Sequence, residues 1–294
     1  MIGRITSQTI QHSTLANLQT NLSSISTLQA QLSSGKKVTK ASDDPAYAAQ
    51  LLSLRGEQTR NVQYERNVTD AKSWLTTADT ALQTASSTLR RARDLMIQGG
   101  NTSLPQVAKD ALAIEIREIR SGMIQTANTT FLGRTVFAGT SAAGHAFDPT
   151  TYAWTGNPAG SVDRIVADGT EVRVDADGQN VFGSGDSSLF ALLDRVASTL
   201  EAGGNPADYL DQVDVFSTRI RTELASIGAR QNRIEDATTR LSDAGLNLKT
   251  QISGIEDIDL AQVILQLQSQ SVAYEASLGA ASRVLAPSLM EFLR

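Results

Sequence analysis

Two histidines, an S-x-x-K tetrapeptide, a glycine–lysine run and an acidic loop are the residues of this chain whose spacing could do chemistry. His12 and His145 could ligate a metal, but they lie far apart and neither sits in an H-E-x-x-H or H-x-x-E-H pattern. Ser33 and Lys36 match S-x-x-K, where a lysine activates a serine nucleophile, yet the companion motifs are absent. "SSGKK" has the ending of a phosphate loop without its earlier glycine, and Lys37 stands where Ser or Thr would hold the cation. "DADGQN", 175 to 180, lacks the third ligand and distal glutamate of a calcium loop, and a turn at Asp177-Gly178 explains it better. Arg90, Arg91 and Arg93 surround Ala92, an apolar-stripe residue, so a solvated face or ion pairs with a neighbouring helix are expected. No catalytic, metal or cofactor-binding set emerges, and the expected cofactor is none.

The elements that would position any site are helical. With 40% hydrophobic but 5% aromatic residues, the chain is short of the large rings that fill globular cores, whereas extended helical packing runs on Leu, Ile, Val and Ala. Six prolines and that hydrophobic content are enough for packed structure rather than disorder. A net charge of −5 offers no basic face for nucleic acid. Residues 141–190 carry that whole deficit, seven acids against two bases, so the middle reads as acidic and exposed. The absence of cysteine removes disulfides and thiolate sites. No stretch approaches the roughly 18 apolar residues of a membrane span, and no cleavable secretory signal is expected at the N-terminus.

Leu15, Leu18, Leu22, Ile25, Leu28 and Leu32 fall on one stripe of a first helix. Gly35 ends that helix, Lys36, Lys37 and Lys40 suit its carboxyl end, and Asp43, Asp44 and Pro45 start the next. Val68, Ala71, Leu75, Ala78, Leu82, Ala85, Leu89, Ala92 and Met96 then alternate by three and four, a coiled-coil seam. "GGNTSLP" ends it, and a third helix carries Leu112, Ile116, Ile119 and Met123. "RIVADGTEVRV", 164 to 174, reads as a hairpin turning at Asp168-Gly169. Helix resumes near Ser187-Ser188, and after Asn205-Pro206 a long one repeats Val213, Ile220, Ile227, Ile234, Leu241 and Leu248 every seven residues. Glu223 and Arg230 sit on its second seam, where polar residues fix register. "SGIEDID", 253 to 259, is a second break before a last helix with Leu260, Ile264, Leu267, Tyr274, Leu278, Ala281 and Leu285.

The expected fold is mainly α with a small β insertion: a long antiparallel helical rod built from both termini, with a β-rich tip in the middle of the chain. Residues 1–34 and 260–294 would be terminal helices, an inner coiled-coil layer. Residues 35–140 and 187–259 would form the rod with its connectors and a short β segment, and 141–186 a small acidic β domain. Such a rod cannot bury every seam itself. Leu15, Leu18, Leu22, Ile25, Leu32, Leu260, Ile264, Leu267, Tyr274, Leu278 and Leu285 are therefore expected to form an assembly surface, joined to the rod through a connector at Gly35, Asp43, Asp44 and Pro45.

Several stretches resemble the bacterial flagellin family. "LSSGKKVTKASDDPAYAAQ" is similar to its N-terminal signature, "ASIGARQNRIE" to its G-A-x-x-N-R segment, and "IEDIDLAQVILQLQSQSVAYEASLGAASRVLAPSLMEFL" to its C-terminal helix. The opening "MIGRITSQ", Pro45 in "DDPAYAA" and "FLGRTVFAGTS" look more like the hook–filament junction branch than filament flagellin, although Ile2-Gly3 departs from the usual start. The resemblance implies a secreted, non-enzymatic structural subunit of the extracellular flagellum, exported unfolded by the flagellar type III apparatus with an export chaperone. Its partners would be identical subunits in a ring, a hook-associated protein on the hook side and flagellin on the filament side, with no nucleic acid and no membrane. Filament flagellin is the alternative.

Overall fold

The computed structural model describes the backbone of residues 7–292 except 39, 41 and 43, and the side chains of 9 and 12–282 with the same exceptions. The fold is mainly α, with long helices from both ends of the chain and small antiparallel sheets in its middle. It divides into two compact units. One takes the described residues up to Arg60 with those from Gly245 on; the other is Asn61–Ala244.

The first unit contains α1 (Ser7–Ser34), the start of α2 (Pro45–Gly99), the end of α6 (Leu210–Glu256) and α7 (Leu260–Phe292). α1 and α7 run antiparallel: Lys36, just past α1, bridges Asp257 just before α7, while Asn21 back along α1 accepts from Gln270 further along α7 at 3.1 Å. The second break is shorter than the sequence suggested. Residues 253–256 are the last turn of α6, because nothing in Ser253-Gly254 forbids helical dihedrals, and only Asp257–Asp259 leave the helix.

In the second unit the expected α2 seam is buried at every position from Val68 to Met96. Val213, Ile220, Ile227, Ile234 and Leu241 of α6 are buried in the same core. The two helices run antiparallel, since Asn61 Nδ2 donates to the Leu241 carbonyl, Lys72 pairs with Glu235 and Arg93 with Asp214. α3 (Gln106–Ala127) packs beside α5 (Leu189–Glu201), with Arg117 paired to Glu201 and Arg120 to Asp194. Gly99 closes α2 where a side chain would run into Leu200 Cδ2, 2.6 Å from an ideal Cβ.

The middle of the chain mixes exposed and buried residues and carries only short strands. Its strands are a hairpin, β1 (Thr130–Phe131) with β2 (Arg134–Thr135), and a second hairpin, β3 (Asp163–Ala167) with β4 (Thr170–Arg173), turning at Asp168-Gly169 as expected. Phe137, Phe147, Phe182 and Phe190 are all buried and touch one another at ring separations of 5.2 to 5.8 Å. The turn expected at Asp177-Gly178 is instead a helix start: Asp177 Oδ1 accepts from Asn180 N at 3.0 Å, and α4 (Gly178–Phe182) follows. Capping won over turn formation because Val181 and Phe182, one residue apart, both need the core.

Asp175, counted among the exposed acids, is buried. Arg173 donates to both its oxygens at 2.9 and 2.8 Å, and Val162 N donates at 2.8 Å. Arg230 on α6 donates to the Asp175 carbonyl at 2.7 Å and to Glu223 Oε1 at 2.6 Å, so the polar pair on the second seam pins the strand exit to α6. Burial pushes the Glu223 carboxyl above its ordinary value, with Arg230 only partly opposing.

Two outcomes follow from this packing. Phe182→Ala should lower unfolding free energy by about 3–5 kcal/mol in urea, since the ring fills a closed aromatic cluster. Glu223 has a raised folded pKa, so its contribution is fully present in acid and is lost as pH rises through that value. Glu223→Gln should therefore match or exceed the wild-type urea midpoint at neutral pH and lose that advantage near pH ~4.

Candidate assembly surface and its joint

Each crossing between helices in the first unit is built from capping residues. Gly35, at φ +70°, donates from its N–H to the Gln31 carbonyl at 2.8 Å and closes α1 in a conformation that favours glycine. Asp44 Oδ1 accepts from Ala46 N and Tyr47 N at 3.1 Å each, and Pro45 occupies the first helical position of α2. Asp43 lies outside the described residues. The Lys37 ammonium sits 5.4 Å from the centre of the Tyr47 ring. On the other crossing, Asp259 Oδ1 accepts from Gln262 N at 3.1 Å and starts α7.

The two crossings meet at a residue that the sequence reading passed over. Glu256 is buried, and its Oε1 accepts from Lys36 Nζ at 2.6 Å and Arg55 Nη2 at 2.7 Å. Burial alone would raise its carboxyl, but the two cations outweigh that and hold it below its ordinary value. No local pattern in "SGIEDID" singles it out, because its partners stand about two hundred residues away in the chain.

The expected assembly residues divide by exposure. On α1, Leu18, Ile25 and Leu32 are half-buried, whereas Leu15 and Leu22 are 57% and 53% exposed. On α7, Leu267 and Tyr274 are half-buried, and Leu260, Ile264 and Leu278 are exposed. The Leu285 side chain lies outside the described residues. Val263 and Ala281 are the α7 residues that are buried among those described, and neither was a candidate. Leu265 and Val272, off the expected stripe, are each 66% exposed, so α7 carries apolar residues around much of its circumference. A helix of that kind is one made for burial on several sides.

The candidate chemical residues are not assembled. His12 and His145 are both exposed, and no group of acids or histidines among the described residues could hold a metal ion. Arg91 pairs with Glu115 on α3 and Arg93 with Asp214 on α6, which accounts for two of the three arginines of the basic cluster.

Residues 5–142 match the bacterial flagellin N-terminal helical region, and residues 210–293 match its C-terminal helical region. The chain is 29% identical over 283 residues to a flagellin of Bacillus subtilis, an overlap covering 90% of each. It is 25% identical over 300 residues to flagellar hook-associated protein 3 of Salmonella typhimurium, covering 93% of this chain and 94% of that one. The crystal structure of Bacillus cereus FlgL superposes with a TM-score of 0.60 at 23% identity, over 68% of this chain and 99% of that one. Two flagellin regions spanning both helical ends make this chain a structural, non-enzymatic component of the flagellum that belongs to the bacterial flagellin family.

Proposed function

We propose that this chain joins the hook side of the flagellum to the filament as the subunit of a junction ring, exported by the flagellar type III apparatus. The observation that carries the reading is the α1–α7 pair, which leaves Leu15, Leu22, Leu260, Ile264 and Leu278 exposed in the isolated subunit. Neighbouring subunits would cover them, with Leu18, Ile25, Leu32, Leu267, Tyr274 and Leu285 completing the seam. Residues 1–34 and 260–294 would then form the inner layer of the ring. The segment Gly35, Asp43, Asp44 and Pro45 would be the place where each subunit adjusts to its neighbours. Burying a Leu or Ile side chain contributes about 1.5–3 kcal/mol, so covering the exposed ones would favour association of neighbouring subunits.

The junction form of this reading is supported by the "DDPAYAA" start of α2 and the "FLGRTVFAGTS" segment, together with the near full-length match to a hook-associated protein. Its partners would be further copies of itself, a hook-associated protein on one side, flagellin on the other and a chaperone before export. A filament flagellin is the second reading, favoured by the Bacillus subtilis relative.

A clean deletion separates the two. Hooks without filaments and flagellin shed into the medium are expected for a junction subunit; filaments that attach normally would rule it out. Purified protein that grows long filaments on seeds would instead establish the flagellin reading. For the seam, Leu267→Asp or Leu278→Asp should leave thermal unfolding of the second unit unchanged while abolishing incorporation into isolated flagella. Incorporation at the wild-type level would remove the C-terminal stripe from the assembly surface.

A further inference from the structure

Two non-helical crossings interrupt the helices of the first unit, and they are tied to each other. Lys36 and Asp257 form an isolated antiparallel bridge, closed by Lys37 N–H donating to the Glu256 carbonyl at 2.6 Å and Ile258 N–H donating to the Gly35 carbonyl at 3.2 Å. A pair of backbone hydrogen bonds outside a sheet is weak by itself. What secures it is the Glu256 side chain, 6% exposed, whose single oxygen Oε1 takes both Lys36 Nζ and Arg55 Nη2. Lys36 belongs to the first crossing, Arg55 to α2, and Glu256 is the last residue of α6. One oxygen therefore holds three segments that are distant in sequence.

We propose that Glu256 is a latch that couples the two crossings, so that Gly35–Lys37 and Asp257–Ile258 open and close as one unit. With the carboxylate ionised, each cation draws its own segment onto the same oxygen. With it neutral, that oxygen no longer compensates for holding two cations against a buried surface, and Lys36 and Arg55 turn to water. Both cationic side chains are already about half exposed, so opening needs little movement from either. A groove of about 460 Å³ lined by Val38, Ala48, Leu51 and Leu52 lies beside Lys36 and leaves it room to swing out. Among the described residues, Lys36 and Arg55 pair with the carboxylate and hold its pKa below the ordinary value, and Lys40 lines the same groove. The sign follows: the latch is closed from neutral pH down through the unfolded-state pKa, and it opens as pH falls through the depressed folded value.

Amide hydrogen exchange on the full chain tests this, read at Lys37 and Ile258, the two bridge donors. Glu256→Gln is expected to lower protection at both by about tenfold or more, with the core amide of Leu82 unchanged. Lys36→Met and Arg55→Met should each weaken both amides, and neither should add to the loss caused by Glu256→Gln. In the wild type, a pH series from about 7 down to the lowest pH at which the Leu82 amide stays protected, corrected for intrinsic exchange, should reproduce the paired loss. Protection unchanged at both amides, or lost at one alone, overturns the latch. If Glu256→Gln does not fold, the wild-type pH series decides by the same two criteria. The readout is on the isolated subunit, so it stands or falls separately from the junction assignment.

Discussion

The second unit depends on one stripe of α2. From Val68 to Met96 its buried positions alternate small and large, with Ala71, Ala78, Ala85 and Ala92 between Leu75, Leu82, Leu89 and Met96. The alanines let neighbouring helices approach, and the larger residues fill the spaces beside them, so close packing is reached without large rings. α3, α5, α6 and the aromatic cluster of the middle segment all join this one core. The middle segment is therefore a covering of the helical core and not a separate domain with its own.

The same three-and-four spacing has a different outcome in α1 and α7. A stripe is buried only to the extent that other helices surround it, and within the first unit α1 and α7 face mainly each other. Part of each stripe is half-buried, as at Leu18 and Leu267, and the rest remains in water. Spacing thus predicts which face is apolar but not whether anything within the same chain covers it. That distinction separates a core from an assembly surface, and it is visible only when exposure is set beside periodicity.

The helices, their breaks and their seams were legible because periodicity, glycine, proline and capping residues are local signals. Gly35, Asp44 and Pro45 act where their types suggested. The failures are equally physical. Asp177-Gly178 suits both a turn and a helix start, and the choice was made by Phe182, whose burial depends on rings from distant segments. Asp175 reads as an exposed acid, and Glu256 draws no reading at all, because composition counts charges without knowing their partners. For Asp175 the cation lies two residues away, yet burial arises from the core behind the hairpin. For Glu256 both cations come from the opposite end of the chain, so no window of sequence contains the site.

Glu223, half-buried, and Glu256, buried, show that a carboxylate drawn out of water beside an arginine has no fixed electrostatic outcome. Burial opposes ionisation in both, and the difference lies in how the cations are used. Arg230 divides its guanidinium between Glu223 and the Asp175 carbonyl, so its attraction only partly offsets desolvation and the pKa rises. Glu256 receives two cations on one oxygen, and their sum exceeds the burial penalty. The first arrangement spends binding capacity on register, holding a strand against α6 at some electrostatic cost. The second favours the charged form and fixes where two chain crossings meet. Apolar seams in this molecule supply most of the stability but slide easily along their own repeat; the buried ion pairs are what choose one position along it.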